Sequence, residues 1–380
     1  MPDSEERLGF QARSAADRVR DLVRPHLHAI APYVPGRPAA DVMREFGLAD
    51  VVKLASNENP AGPSPKAVAA ITAALPNLHL YPDGAALDLR EAIASHFSLT
   101  PAHVFVGNGS DELIKLIAET FLGPGDEVVL PFPSFASYSL AAAMTAATVV
   151  RVPLADGFAY DPDAIVASVS QRTKVVYLCT PNNPTGTWLT HGQVRDIVQR
   201  MPPGVLVVCD EAYVEYLDTE DPLDSLRLIR EGYTLITLRT FSKMYGLAGL
   251  RLGYAMGDPG ILAFLHQVRL PFNVNALAQA GAVAALADAE HVVRSRRLNA
   301  TGRAQYYDGL RRLGIPYIHT QGNFLLAEVG DGQAVYDRLQ AKGVIVRAGF
   351  AGLPAHIRIS IGTTADNDRC LTALAAVIDR

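Results

Sequence analysis

The sequence predicts an α/β fold: a large domain on a mainly parallel seven-stranded sheet with helices on both faces, plus a smaller α+β domain. Three observations predict it. Seven short runs rich in Val, Ile and Leu mostly lack polar alternation, as strands buried on both faces do. Helical patterns lie between several of these runs, which is the rhythm of a parallel sheet. After residue 314 a smaller strand–helix pattern appears.

Residues 1–50 read as a polar lead-in with helical stretches, broken by Pro32, Pro35, Gly36 and Pro38. The seven strand-like runs are 104–107, 127–130, 147–154, 174–179, 205–210, 235–240 and 252–256. Helical patterns cover 111–122 and 190–200 among others. Residues 261–314 are predominantly helical and end in a long helix over 294–313. The tail reads as strand 323–329, helix 333–341, strands 344–347 and 357–361, and a final helix from Asp366. The expected division is a large domain over 61–282, with 1–60 and 283–380 together forming the small one.

Composition narrows the function classes. Of 380 residues, 49% are hydrophobic and 19% charged, a core-forming balance. The net charge of −5 and the absence of a basic run argue against a general nucleic-acid binder. The uncharged stretch 131–150 is interrupted by Pro131, Pro133, Ser134, Ser137, Tyr138 and Ser139, unlike the roughly 20 apolar residues of a membrane helix. Asp3, Glu5 and Glu6 at the start leave no evident signal peptide, so a cytoplasmic protein is expected. Cys179, Cys209 and Cys370 have neither CxxC nor zinc spacing; no metal is expected, and Cys179 and Cys209 read as buried thiols in strands. Only six of the 34 basic residues are lysines, so imine chemistry has six candidates.

Four segments carry chemistry. GNGSDE at 107–112 follows a strand and opens a helix, where free N–H groups favour an anion; the plain alternative is a turn capped by Ser110. Asp111 and Glu112 would repel a phosphate, so backbone amides would have to hold it with the carboxylates turned away. TPNNPTG at 180–186 is a rigid loop at the C-terminal end of a strand, a ligand position in open sheets or an ordinary turn. Asp210 ends a buried strand with Tyr213 three residues on; a buried carboxylate needs a partner such as a protonated ring nitrogen, unless it caps a helix. In the segment 238–251, Lys243 sits among hydroxyls and glycines, with Arg251 eight residues later. It is either a solvated loop lysine or the imine-forming one, with Thr240, Ser242 and Arg251 suited to a dianionic phosphate.

Taken together with KLASNENPAGPSP at 53–65, LYPDG at 80–84, DEAYVEY at 210–216, TFSKMYGLAGLRLGY at 240–254, PFNVN at 271–275 and IRISIGT at 357–363, these segments make the chain resemble the pyridoxal-phosphate aminotransferases of fold type I, specifically their histidinol-phosphate branch. The resemblance runs from about Tyr33 to near the C-terminus. It implies pyridoxal 5′-phosphate as cofactor, held covalently by Lys243, whose freed amine then shuttles a proton. Asp210 pairs with the ring nitrogen, and Asn183 and Tyr213 bond the ring's 3′ oxygen. Phe135 stacks on the ring, unless it is a core aromatic. The amides of Gly109, Ser110 and Asp111, with Thr240, Ser242 and Arg251, hold the phosphate. The resemblance further implies a homodimer with active sites at its interface, Tyr81 reaching the neighbour's cofactor phosphate. The isoleucines of 357–361 share one strand face, so Arg358 projects from the other and need not enter the core. It is either an exposed strand arginine or the group that takes the substrate's carboxylate or phosphate, with Arg347 and Tyr33 as helpers unless they are only a surface salt bridge and a packed aromatic. Asn57 is placed against the substrate ring.

The implied reaction is reversible ping-pong transfer from histidinol phosphate to 2-oxoglutarate, giving imidazole-acetol phosphate and glutamate in histidine biosynthesis. Phe272 stands where many members carry a tyrosine that binds substrate phosphate. The missing bond, worth roughly 1.5–3 kcal/mol, keeps an aromatic-amino-acid aminotransferase open as a rival. A threonine-phosphate decarboxylase of the same fold would release carbon dioxide and need no oxo acid. A cofactor-sensing regulator would bind without turnover.

Overall fold

A computed structural model describes residues 19–20, 22–32 and 36–378. The chain divides into two units, Met1–Val34 and Pro35–Arg380. The described part of the first holds a single 3₁₀ turn, Pro25–Ala29. The second contains the strands β1 (Val52–Lys53), β2 (Val104–Gly107), β3 (Glu127–Phe132), β4 (Thr148–Pro153), β5 (Thr173–Cys179), β6 (Leu206–Asp210), β7 (Leu235–Thr240), β8 (Gly253–Gly257), β9 (Phe324–Glu328), β10 (Val344–Ile345) and β11 (His356–Ser360).

Seven of these form one sheet in the order β2-β8-β7-β6-β5-β3-β4. Only β8 runs antiparallel to its neighbours. The missing polar alternation has a direct cause. Val175, Tyr177 and Cys179 of β5 enter one apolar cluster, while Val176 and Leu178 enter another on the opposite face. Cys179 and Cys209 fall into different clusters, and all three cysteines are buried and free. Two small sheets complete the fold: β1 pairs parallel with β10, and β9 antiparallel with β11. Ile357, Ile359 and Ile361 share the cluster packed under the C-terminal helix Thr364–Val377.

Two helices start earlier than their patterns suggest. The long one begins at Ala289 rather than 294 because Asp288 caps it through the His291 amide. The one after β2 spans Gly109–Phe121, with Asn108 rather than Ser110 at the cap position. Glu112 causes this: its carboxylate reaches back to the Asn108 amide, so Ser110 becomes part of the first turn. Among the described residues no helix is long and apolar enough to cross a membrane.

Candidate active site

β2, β3, β5, β6 and β7 point the same way, so the loops leaving their C-terminal ends share one edge of the sheet. β8 runs back, so Arg251 just before it lies at that edge too. This is where open α/β sheets hold ligands. The topology thus gathers Gly109–Asp111, Phe135, Asn183, Asp210, Tyr213, Thr240, Ser242, Lys243 and Arg251. The small sheets add Asn57 from the loop after β1 and Arg358 from β11.

Asp210 is 2% exposed, and no basic side chain pairs with it among the described residues. Tyr138 donates its hydroxyl to Oδ2 at 2.7 Å and the Ala212 amide donates to Oδ1 at 3.1 Å. Burial outweighs both bonds and pushes the carboxyl up to about 6. Tyr138 itself stacks on Tyr177 at 4.4 Å and meets the edge of half-buried Phe135 at 5.6 Å.

Lys243 lies three residues past β7 and donates to the Ser56 carbonyl at 2.9 Å. Burial, reinforced by the positive charge of Arg358, brings its amine down to about 8. No other lysine has this setting: Lys66, Lys115, Lys174 and Lys342 are exposed, and Lys53 pairs with Glu58.

The anion cradle is a helix N-terminus without a side-chain cap. Gly109 has φ +80°, and a Cβ there would come within 2.8 Å of the Arg251 guanidinium. A Cβ on Gly253 would reach 2.5 Å from the Ser110 amide, so both glycines keep the cradle open. Glu112 is turned away toward Asn108 and Asn273. Asp111 is not: it accepts from Arg251 at 3.3 Å and from Ser137 at 2.9 Å. Thr240 Oγ1 accepts from the Ser242 amide and donates to the Leu252 carbonyl.

Arg358 is only 6% exposed, buried on the face opposite the isoleucines. That excludes the exposed-strand alternative. Its guanidinium lies between the rings of Phe324 and Phe350, each 5.4 Å away, and donates to Asn183 Oδ1 and the Ala55 carbonyl. Arg347 exchanges both backbone bonds with Arg358 in an antiparallel bridge, so the two side chains leave on the same face.

Asn57 does not fit the role of a substrate contact. It is 1% exposed, and its amide and backbone groups are committed to Ser360, Tyr213 and Asn323. Tyr81 is 83% exposed and stacks on Phe272 at 4.7 Å. Tyr33 lies outside the described residues. Sequence reasoning missed Tyr138, Asn323, Phe324, Phe350 and Ser360. Tyr138 had a signal, a phenol one helical turn after Phe135 in a segment too apolar to leave it without a partner. The others are brought in by the small sheets, and only tertiary structure does that.

The arrangement suits a flat ligand with a phosphate at one end and a cationic ring nitrogen at the other. The sequence pattern of the family "Aminotransferase class I and II" matches residues 49–374. The chain is 47% identical over 358 residues to a histidinol-phosphate aminotransferase of Symbiobacterium thermophilum, covering 94% of this chain and 98% of that one. It is 46% identical to the histidinol-phosphate aminotransferase of an Anaeromyxobacter species over 94% and 99% of the two chains. The crystal structure of histidinol-phosphate aminotransferase from Sinorhizobium meliloti, in complex with pyridoxal-5′-phosphate, superposes with a TM-score of 0.87 at 29% identity, covering 97% and 99%.

Proposed function

The chain belongs to the class I and II aminotransferases, and from that premise we propose that it transfers an amino group from histidinol phosphate to 2-oxoglutarate in histidine biosynthesis, using pyridoxal 5′-phosphate. The substrate follows from the near full-length likeness to relatives of that one named activity. The observation that carries the transferase chemistry is the opposed tuning of two groups. Lys243 is an amine brought down to about 8, and Asp210 is a buried carboxylate without a cationic partner among the described residues.

These residues fit the cofactor. The uncapped amides at Gly109–Asp111, with Ser242, Thr240 and Arg251, would hold its phosphate. Asp210 would keep its ring nitrogen protonated, Asn183 and Tyr213 would bond the 3′ oxygen, and Phe135 would cover a face. When bound, the cofactor supplies an aldehyde to take the amino group and a cationic ring to accept electrons. The chain supplies the rest. Lys243 Nζ, neutral in a large fraction near pH 8, would take the proton from the substrate's amine-bearing carbon and deliver it to the cofactor carbon that carried the aldehyde, with the same transfer run backwards in the second half-reaction. Arg358, held flat between Phe324 and Phe350, presents a planar fork to the carboxylate of one substrate and the phosphate of the other, with Arg347 beside it. Tyr33 remains part of the proposal as a helper for the substrate phosphate.

The proposal includes a homodimer. Support comes from Leu78, Leu80 and Leu270, apolar side chains 59%, 59% and 70% exposed. Tyr81, exposed in its own subunit, would then serve the neighbour's phosphate site. It also includes a cytoplasmic location and the division into a large part over 61–282 and a small part from 1–60 with 283–380. The pairing of β1 with β10 supports that division.

The test is direct. Histidinol phosphate or glutamate is added to the cofactor-loaded protein and the cofactor's absorption is followed. Conversion to the amine form by both is expected; conversion by neither overturns the reading.

A further inference from the structure

We infer that Asn57 is a positioning residue that aims the hydroxyl proton of Tyr213 into the active site. The inference rests on the reading above, in which Tyr213 faces the cofactor.

The hydrogen bonds around Asn57 run in a single chain. Its backbone N–H donates to Ser360 Oγ at 2.8 Å. The Ser360 hydroxyl, having accepted there, gives its own proton to Asn57 Oδ1 at 2.9 Å. In this orientation Oδ1 is the acceptor end of the amide, and Nδ2 donates to Tyr213 Oη at 3.0 Å. An amide nitrogen cannot accept. The phenol must accept from Asn57, and its own proton is left for a second partner. Tyr213 is 3% exposed, so that partner is a group in the site and not bulk water.

The backbone is shaped for this. Asn57 has φ +55°, the left-handed region that asparagine tolerates better than most residues. That conformation lets its own N–H and its side chain reach the same hydroxyl. The Asn57 carbonyl accepts from Asn323 Nδ2 at 2.9 Å, and the Ser360 backbone N–H donates in turn to the Leu54 carbonyl at 2.9 Å. The phenol ring is held edge-on by Phe324 at 5.0 Å. The charged and titratable groups around Tyr213 are Arg358 of β11, Lys243 (5.8 Å above its ring), Asp210 and Cys179. Burial raises the phenol to about 12, so it keeps the proton it is being aimed to give.

The experiment compares Asn57→Ala, Asn57→Asp, Tyr213→Phe and the Asn57→Ala/Tyr213→Phe double variant as cofactor-loaded proteins. Two quantities are read: the pH midpoint of the bound cofactor's absorption change, and the cofactor dissociation constant. Asn57→Asp turns the donor into an acceptor, which draws the phenol proton away from the site. It should move the midpoint upward by on the order of one pH unit, as Tyr213→Phe should. Asn57→Ala should move it in the same direction by less, and by almost nothing once Tyr213 is already Phe. Ser360→Ala, which frees the amide to rotate, should reproduce the Asn57→Ala shift and serves if that variant does not fold. A purely structural role would weaken cofactor binding without moving the midpoint, and that outcome overturns the inference. Equal shifts in the wild-type and Tyr213→Phe backgrounds also overturn it. If Tyr213→Phe itself leaves the midpoint unmoved, the inference fails because the reading of Tyr213 has failed first.

Discussion

Replacing Asp210 with Asn should make the cofactor-free protein more stable at neutral pH while weakening its hold on the cofactor. Burial raises the carboxyl from an ordinary 3.8 to about 6 in the folded chain. The folded state therefore binds this proton more tightly than the unfolded state, and stability falls as pH rises through that window. At about 1.36 kcal/mol per pH unit, the accumulated burden at pH 7 is about 3 kcal/mol, of which about 1 kcal/mol develops between pH 5 and 7. The amide of Asn carries no charge, and the Tyr138 hydroxyl, which now donates, can rotate to accept from it. Urea unfolding of the cofactor-free wild type and Asp210→Asn at pH 5, 6 and 7, at one protein concentration, isolates the effect. The stability difference, variant minus wild type, should grow by about 1 kcal/mol across that range. A difference that stays flat or shrinks with rising pH would refute the assignment of a raised carboxyl to this position. Cofactor titration of the same samples should show the opposite sign, because a neutral amide does not favour a protonated ring nitrogen.

Three further outcomes follow from the geometry. The rate at which cofactor-free protein takes up pyridoxal phosphate should rise with pH around a midpoint near 8, the value to which burial and Arg358 bring Lys243; stopped-flow absorbance measures it, and a midpoint above 10 counts against the assignment. Arg358→Lys should raise KM for 2-oxoglutarate by roughly 10- to 100-fold with a smaller change in kcat, since a point charge replaces a fork held between two rings; steady-state kinetics checks the split. Phe272→Tyr adds a hydroxyl at a half-exposed ring stacked on Tyr81, and should raise the kcat/KM ratio of histidinol phosphate over phenylalanine by about tenfold, read from competing-substrate assays.

Most of the sheet was legible because burial on two faces leaves a plain record. The run 104–107 is wholly apolar, and 235–240 is rich in Leu and Ile and interrupted only by Thr237 and Arg239 before its last residue; both strands match those bounds. Asp210 and Lys243 were legible for the complementary reason: a charge at the end of an apolar strand needs a purpose. Contacts between parts distant in sequence were not legible. Nothing local in IRISIGT reveals that Arg358 enters a slot between Phe324 and Phe350, since that slot exists only once β9, β11 and the loop at 350 are assembled. The surroundings of Asn57 were not legible for the same reason. Its neighbours Ser360, Asn323 and Tyr213 lie 303, 266 and 156 residues away.

The two oppositely charged groups of the candidate site are held apart. Asp210 and Lys243 carry opposite charges but do not pair with each other: the carboxylate is satisfied by Tyr138 and Ala212, the amine by the Ser56 carbonyl. Each is shifted toward its neutral form by burial. Arg251, meanwhile, borrows Asp111 as an anion beside a helix N-terminus that has no side-chain cap. A direct Asp210–Lys243 ion pair would make the empty chain more stable and would occupy the space a ligand needs. Holding the two apart keeps a carboxylate ready for a cation, an amine ready to react and an anion cradle waiting for a phosphate. One molecule bearing all three complements would meet each of these groups at once, which is how separated charges can select a cofactor.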